Sequence, residues 1–431
     1  HLSIRRQRQM CIRDRFIGIN GAFAQGSDIV IGQNYTIHSK AFNKETKLQV
    51  YLPENHKSSN KQYPVLYVLD GKHYFSNAVA IQTALRVPDV LPEMIVVGIN
   101  LEWSERRNIM FYDSPEKFLS FLEEDVISFV DRSFNTSKER ILFGWEASGY
   151  YASNILFHKK QLFDGVIATD GAYSDEETLK TFSDFDMPTN KRLYFANSDR
   201  DIYYVASSNE FAKLLEKTKP KNLTWKYHKL NDEVHESLPY LAMYHGLKYY
   251  YHNFHSLLYK DIATFHAKGG MKYLKEYFKQ RGERFGLSTQ ISDAAKNDLI
   301  WLGLNRDDFK NFDYFMTEFK DVLSTKRYQS NYWQNKLGQF YLKNKSYAKA
   351  KSHFEYSIKH FSGSAEIYSG LGNVYLAKND RKGAIFSFEK AVELSKENND
   401  NELQKYKKQL NKVNKRKEEQ RDNGVPQISP K

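Results

Sequence analysis

The sequence predicts an α/β domain with a mostly parallel central sheet, followed by an all-α domain built from helical repeats. From residue 28 to about residue 230, short β-branched and aromatic runs alternate with amphipathic helical segments, an alternation typical of parallel sheets. Several of these runs are apolar throughout, as expected for strands that are buried on both faces of a sheet. From about residue 256 the strand pattern stops, and the chain becomes helical and rich in aromatic residues.

Eight segments carry the strand pattern. In chain order they are IVIGQNYTIHS, KLQVYLP, PVLYVLDG, EMIVVGIN, RILFGW, GVIATD, RLYFANS and NLTWKYHKL. The segment 114–134, which lies between the fourth and fifth of them, has the spacing of an amphipathic helix. Its residues Phe118, Leu122, Phe129 and Val130 fall on one stripe of such a helix.

The charge of the chain does not indicate a nucleic-acid-binding protein. The formal net charge is +12 over 431 residues, a length that predicts two or three domains. Residues 1–15 carry five Arg and one Asp (+4), and residues 396–431 carry ten Lys or Arg and six Asp or Glu (+4). The remaining +4 is spread over the rest of the chain and marks no basic patch, so we expect no nucleic-acid partner.

The first 24 residues are predicted to lie outside the folded protein. Residues 1–15 show no apolar periodicity and are left out of the fold prediction. The apolar run that follows ends in Ala22-Phe23-Ala24, which has the small residues that signal peptidase accepts. We interpret residues 1–24 as ending in the remnant of a bacterial-type signal peptide, which predicts export to the periplasm or the medium. The alternative interpretation is an ordinary first strand.

Several kinds of site are not indicated by the sequence. The only cysteine, Cys11, lies in the segment left out of the fold, so no disulfide or cysteine metal site is expected. No later stretch reaches about 18 apolar residues, so we expect no membrane-spanning helix. A P-loop, a Gly-x-Gly-x-x-Gly after a strand and a His-Glu-x-x-His are also missing. We therefore predict no cofactor and assign no metal site.

A repeat with a period of 34 residues occupies the C-terminal part of the chain. The matching positions are Leu337 and Leu371, Gly338 and Gly372, Tyr341 and Tyr375, Ala350 and Ala384, and Phe354 and Phe388. This Leu-Gly-x-x-Tyr…Ala…Phe pattern resembles tetratricopeptide repeats, in which Gly permits close helix approach. We predict two repeats over 331–399, a helical connector over 256–330 and a charged cap helix with a disordered tail over 400–431. The connector contains a degenerate first repeat, because two repeats rarely bury their faces alone.

The stretch RILFGWEASG resembles the strand–turn–helix in which many hydrolases place a nucleophilic serine, with the pattern Gly-x-Ser-x-Gly. Gly144 is present, but Glu146 occupies the central position, and Ser148 lies two residues further on. Gly144 and the small residues at 147–149 indicate that the turn itself is retained.

Four segments together resemble the putative-esterase branch of the α/β-hydrolase superfamily, which includes ferric-enterobactin esterases, esterase D and mycolyltransferases. They are IGQNYTIHSKAF…LQVYLPEN, YPVLYVLDGKHYF, RILFGWEASG and DEVHESLPYLAMYHGLKYYY. The resemblance covers roughly residues 28–251 and implies an α/β-hydrolase fold over 25–255. Members with this domain followed by tetratricopeptide repeats are a known arrangement, which extends the resemblance to about residue 395. The activity that it implies is hydrolysis of carboxylic esters, including siderophore or acyl esters.

The resemblance also implies roles for individual residues. The backbone N–H groups of Lys72, in LDGK, and of Ala147, after the turn, would form an oxyanion hole. His235 in DEVHES matches the histidine that takes the proton of the nucleophile. Its acidic partner should follow RLYFANS, where Asp199 and Asp201 are both candidates. The pocket around these groups is expected to include Asp70, Gly71, His73, Trp145 and Asp170.

Family members carry serine where this chain has Glu146, and four hypotheses follow. In the first, the serine route is lost and the pocket binds without cleaving, because a carboxylate cannot supply an alkoxide. In the second, Glu146 is itself the nucleophile. In the third, Glu146 acts as a general base or cation ligand with Asp170, His235 and an aspartate at 199 or 201. In the fourth, Ser148 is a displaced nucleophile.

The expected partners follow from the two domains. The first domain predicts a small-molecule ester or a related ligand. The repeats predict a protein or peptide partner.

Overall fold

The computed structural model describes residues 28–86, 90–100, 115–171, 186–200 and 205–422. The chain divides into two compact units, one ending at Tyr250 and the other containing the chain from Tyr251 onward. The sequence analysis put this boundary at residue 255. The predicted signal-peptide remnant, residues 1–24, and the predicted tail beyond residue 422 lie outside the described residues.

The first unit contains one eight-stranded sheet with the strand order β1-β2-β4-β3-β5-β6-β7-β8. Each of its strands matches one of the eight predicted segments. They are β1 (Gln33–Ser39), β2 (Lys44–Tyr51), β3 (Tyr63–Leu69), β4 (Ile95–Ile99), β5 (Thr136–Trp145), β6 (Gly165–Thr169), β7 (Lys191–Asn197) and β8 (Leu223–Lys229).

The sheet is parallel from β4 through to β8, whereas β2 pairs antiparallel with both β1 and β4. Every residue of β3, β4 and β6 is buried, which explains why these strands are apolar throughout. Because β3, β5, β6 and β7 run parallel, their carboxyl ends meet at one edge of the sheet, where open α/β sheets bind their ligands. The predicted fold class is confirmed.

Helices connect the strands of the sheet. They are α1 (Gly71–Arg86), α2 (Pro115–Ser120), a π-helical segment (Phe121–Ile127), α3 (Ser128–Ser133), α4 (Ala147–His158), α5 (Val205–Thr218) and α6 (Leu238–Tyr250). The predicted helical stripe of segment 114–134 enters the core of this unit, since Phe118, Leu122 and Val130 are fully buried. Phe129 packs on that core while partly exposed.

The described part of the second unit contains helices and no strand. They are α7 (Ile262–Ala267), α8 (Gly270–Phe285), α9 (Asp293–Asn305), α10 (Phe309–Glu318), a 3₁₀ helix (Lys320–Ser324), α11 (Asn331–Lys343), α12 (Tyr347–Phe361), α13 (Ala365–Ala377), α14 (Arg381–Glu397) and α15 (Leu403–Asp422). The pairs α11–α12 and α13–α14 coincide with the two predicted repeats, and α9–α10 with the degenerate one. Within the described ranges, no helix is long and apolar enough to cross a membrane.

The repeat pattern is explained by helix packing. The ring of Phe388 on α14 lies so close to α13 that a Cβ at Gly372 would stand 2.7 Å from its Cε1 atom. Gly372 therefore lets the two helices approach, and Phe388 fills the space between them. Ala384, one turn earlier on α14, is also fully buried.

A buried histidine lies between α11 and α12. The His353 Nδ1 atom lies 2.7 Å from Oε1 of Gln334, and the Gln334 amide nitrogen donates to the Tyr328 carbonyl at 2.9 Å. Because that amide nitrogen is already a donor, Oε1 is the acceptor and His353 carries its proton on Nδ1. The ring stacks on Tyr341 at 5.5 Å. Burial lowers the pKa of His353 to about 4.

We expect Phe388→Ala to lower the free energy of unfolding by about 3–5 kcal/mol, because a fully buried ring is replaced by a cavity. Phe386, on the same helix but 59% exposed, supplies the matched control. Phe386→Ala should change the free energy by less than about 0.5 kcal/mol. Denaturant unfolding of the full chain followed by circular dichroism measures both, and equal losses would contradict the packing described.

We expect His353 to make the fold less stable in acid. Between pH 6.5 and pH 4 the unfolded chain binds a proton that the folded chain does not, so the stabilisation present at pH 7 is lost as the pH falls. At about 1.4 kcal/mol per pKa unit, the loss is about 3 kcal/mol by pH 4.

The measurement is the free energy of unfolding at pH 7 and pH 4. The His353→Gln variant should lose less stability than the natural chain by that amount. His360→Gln, which changes an exposed histidine of α12, should lose as much as the natural chain. A His353→Gln variant with an unchanged pH dependence would show that the imidazole is not buried in its neutral form.

Candidate active site

The turn between β5 and α4 has the geometry of a nucleophile elbow, with Glu146 at its apex. Glu146 has φ 54° and ψ −119°, a backbone conformation that L-residues rarely adopt. Its N–H donates to the Thr169 carbonyl at the end of β6 at 2.8 Å, and its carbonyl accepts from the Tyr150 N–H at 3.0 Å. A Cβ at Gly144 would stand 2.2 Å from the Ser148 carbonyl oxygen, so only glycine fits there. The elbow is therefore retained without its serine.

Glu146 itself is buried, with 8% of its surface exposed. It is the last residue before α4, whose first residue is Ala147. The side chain that a substrate meets at the apex of an elbow is thus a carboxylate in this chain.

Ser148 is engaged in a buried hydrogen bond. Its hydroxyl donates to Oδ2 of Asp70 at 2.8 Å, and Ser148 is fully buried. Asp70 follows β3 with φ 59° and is 4% exposed, so this bond joins the turns that follow β3 and β5. Ser148 therefore helps to hold two strand ends together, and its oxygen is closed to solvent.

His235 lies between β8 and α6 and contacts a carboxylate. Its Nδ1 atom is 3.4 Å from Oδ2 of Asp170, and one fifth of its side chain is exposed. The imidazole also packs on the indole of Trp145, with 4.8 Å between the ring centroids. The Trp145 Nε1–H donates to the same Asp170 oxygen at 3.1 Å. Three predicted site residues, Trp145, Asp170 and His235, are thus in contact.

Asp170 is fixed at the end of β6. Its side chain is fully buried, its φ is 50°, and its N–H donates to the Ala196 carbonyl of β7 at 3.1 Å. Its Oδ1 atom accepts from the side-chain amide of Asn197 at 3.1 Å. Burial, together with the Asp170 charge, raises the pKa of the neighbouring Tyr227 to about 12. Asp170 is therefore held in a fixed position at the sheet edge.

The predicted acids after β7 are placed differently. Asp199 is exposed, and its Oδ1 accepts from the adjacent Ser198 hydroxyl at 3.4 Å. Asp201 lies outside the described residues. Within those residues, the carboxylate that the structure brings to His235 is Asp170, which the sequence analysis placed in the pocket. At the end of β7, Asn197 and Ser198 are buried, and Asp199 is exposed.

The two predicted oxyanion-hole residues begin helices. Lys72 is the second residue of α1, and Ala147 is the first residue of α4. N–H groups in the first turn of a helix have no partner within that helix, so both are available to a ligand oxygen. Gly71 is buried beneath Lys72, whereas the side chains of Lys72 and His73 are exposed.

An aromatic wall beside the elbow was not predicted from the sequence. Tyr74 packs on Trp145 at 5.9 Å and on Tyr240 at 5.5 Å between ring centroids. Tyr240 is 44% exposed, and Tyr74 is buried. Asn197 was not predicted either, although a polar residue at the carboxyl end of an apolar strand indicates a candidate site residue. Among the described residues, no three His, Cys, Asp or Glu side chains form a group suited to a metal ion.

We expect Ser148→Ala to lower the free energy of unfolding by about 1.5–3 kcal/mol, because a buried carboxylate loses a hydrogen-bond donor. Ser387 on α14 is a matched control, since it is also buried in a helix but donates to a carbonyl of its own helix, that of Gly383. Ser387→Ala should cost less than about 1 kcal/mol. Thermal unfolding of the full chains compares the two, and a larger effect at Ser387 would refute this role for Ser148.

Two segments of the chain match known protein families. Residues 39–265 match the family described as "Putative esterase", and residues 365–398 match a tetratricopeptide repeat. No curated protein sequence matches the chain.

Three solved structures illustrate the structural likeness. An uncharacterised protein from Capnocytophaga ochracea is 13% identical, with a TM-score of 0.53 over 89% of this chain and 99% of its own. An IroE-like serine hydrolase from Shewanella oneidensis is 19% identical, with a TM-score of 0.49 over 66% of this chain and 98% of its own. The siderophore hydrolase EstA from Aspergillus nidulans is 18% identical, with a TM-score of 0.44 over 53% of this chain and 99% of its own.

The first of these likenesses shows the fold alone. The matched family segment spans more than half of the 431 residues, and it contains β2 to β8 and the elbow. The chain therefore belongs to the putative esterase family.

Proposed function

We propose that the first unit binds an ester or a related small molecule and does not cleave it by the serine route. The observation that carries this proposal is the elbow conformation at Glu146, where the family's serine would stand. Among the described residues, the turn, the two helix ends and the histidine support a ligand site, and the apex of the turn carries no hydroxyl.

The chemistry of the serine route requires a proton that Glu146 does not offer. A serine hydroxyl gives its proton to the histidine as its oxygen bonds to the acyl carbon, whereas an ionised carboxylate has no such proton. Ser148 does not replace it, because a fully buried oxygen bonded to Asp70 is out of reach of a substrate. These two facts favour binding over cleavage.

The described residues around the elbow include groups suited to a ligand. The first-turn N–H groups of Lys72 and Ala147 offer two donors, and Trp145, Tyr74 and Tyr240 form an aromatic wall. A pocket of this kind, with a few polar groups beside aromatic surface, is typical of small-molecule sites.

The helical repeats support a second proposed property. Because residues 365–398 match a tetratricopeptide repeat, we propose that the second unit binds a protein or peptide partner. Export remains our proposal from the apolar run that ends at Ala24.

We expect Glu146→Ser to create an active serine. The probe is diethyl p-nitrophenyl phosphate, because it reports a serine without knowledge of the natural ester. The introduced hydroxyl oxygen bonds to phosphorus, p-nitrophenolate leaves, and the hydroxyl proton passes to His235. Intact-mass spectrometry of the full chain should find a diethylphosphoryl adduct on the variant and none on the natural chain. Hydrolysis of p-nitrophenyl acetate and butyrate should rise by about 100-fold or more.

Two controls define the result. Glu146→Ala should remain unlabelled, and adding His235→Ala to Glu146→Ser should abolish the gain. If the natural chain itself hydrolyses the esters, and Glu146→Gln and His235→Ala each abolish this, then Glu146 takes part in cleavage as a nucleophile or a general base, and the proposal is wrong.

A further inference from the structure

We infer that Asp170, at the end of β6, is a residue that positions His235. The inference rests on the proposed function in one respect, because it takes His235 as the base of the same pocket. It concerns the pair itself and holds whether or not the apex residue can react.

The first argument is the position of the carboxylate. The Oδ2 atom of Asp170 lies 3.4 Å from Nδ1 of His235, and the carboxylate is fully buried. The backbone of Asp170 is fixed in a left-handed conformation by its bond to β7. A buried carboxylate held in this way offers its charge to the imidazole with little screening by water.

The second argument is that other donors orient the carboxylate. The Ser208 hydroxyl donates to Oδ1 of Asn197, which fixes the direction of that amide and turns its nitrogen to Asp170. The Trp145 indole can only donate, and it does so to the oxygen that faces His235. Hydrogen bonds donated to a carboxylate favour its charged form. Both oxygens are thus held as acceptors, as a residue that positions a histidine requires.

The third argument concerns the tautomer of the histidine. A carboxylate next to Nδ1 favours the proton on that nitrogen, which leaves Nε2 as the acceptor that a general base needs. This is the arrangement expected of a histidine that takes a proton from the apex of the elbow.

The end of β7 also supports the pair. The Asn197 carbonyl accepts from the Leu230 N–H at 2.8 Å, and the Ser198 hydroxyl donates to the Glu233 carbonyl. These bonds hold the loop that carries His235, and Asn197 also donates to Asp170.

The test is a proton NMR titration of the His235 imidazole in the full chain, assigned by comparison with His235→Gln. Asp170→Asn removes the facing charge and should lower the His235 pKa by about 1–2 units. Asp199→Asn removes an exposed charge after β7 and should change it by less than about 0.3 units. Glu233 and Glu236 flank His235 and are unchanged in both variants. Their effect on the His235 pKa is therefore the same in each and does not alter the comparison.

Folding of the Asp170 variant is controlled in two ways. Asparagine tolerates the left-handed backbone conformation of residue 170, and its thermal midpoint is measured alongside. Trp145→Phe keeps the carboxylate but removes one donor to it, so it should raise the His235 pKa. A shift in that direction would support the pair even if Asp170→Asn were too unstable to titrate.

A second readout uses the labelling reaction. In the Glu146→Ser background, Asp170→Asn should slow labelling by about 100-fold or more and shift its pH profile with the histidine, whereas Asp199→Asn should leave both unchanged. If Asp199→Asn moves the titration and Asp170→Asn does not, the inference is wrong. If Glu146→Ser fails to label, the proposed function is wrong, and the titration still decides the role of Asp170.

Discussion

The strained turn at Glu146 is the constraint on which the site depends. A backbone in this conformation costs about 1–3 kcal/mol and persists only where its surroundings hold it. Here the Thr169 carbonyl accepts the N–H of the apex residue, and Gly144 leaves room for the Ser148 carbonyl. The sheet, and not the apex side chain, determines the backbone conformation of the turn. A glutamate therefore occupies the apex without displacing the adjoining helix and strands.

Most of the fold could be predicted because its signals are local. The eight strands are short apolar runs, and the buried rings of Phe354 and Phe388 recur 34 positions apart in the helical repeats. The elbow was recognisable from Gly144 and the small residues after Glu146, because close backbone contacts leave little room for larger side chains in the turn. His235 was found by resemblance, and the structure places it against the residue next to the elbow apex.

The carboxylate that contacts His235 could not be predicted in this way. Asp170, Asp199 and Asp201 all follow predicted strands, and their spacing does not say which side chain faces the sheet edge. That choice depends on the path of the chain after β7, where Asn197 is buried and Asp199 has reached solvent. The hydrogen bond between Ser148 and Asp70 was hidden for a related reason, because 78 positions separate its partners.

Three acidic residues at one sheet edge share a positive φ: Asp70 after β3, Glu146 after β5 and Asp170 after β6. Glycine would adopt each of these conformations without strain, so each acidic side chain adds a backbone cost that its own contacts must offset. This edge of the sheet therefore concentrates acidic side chains at strained backbone positions, and the strain at Asp70 and Asp170 is offset by buried hydrogen bonds.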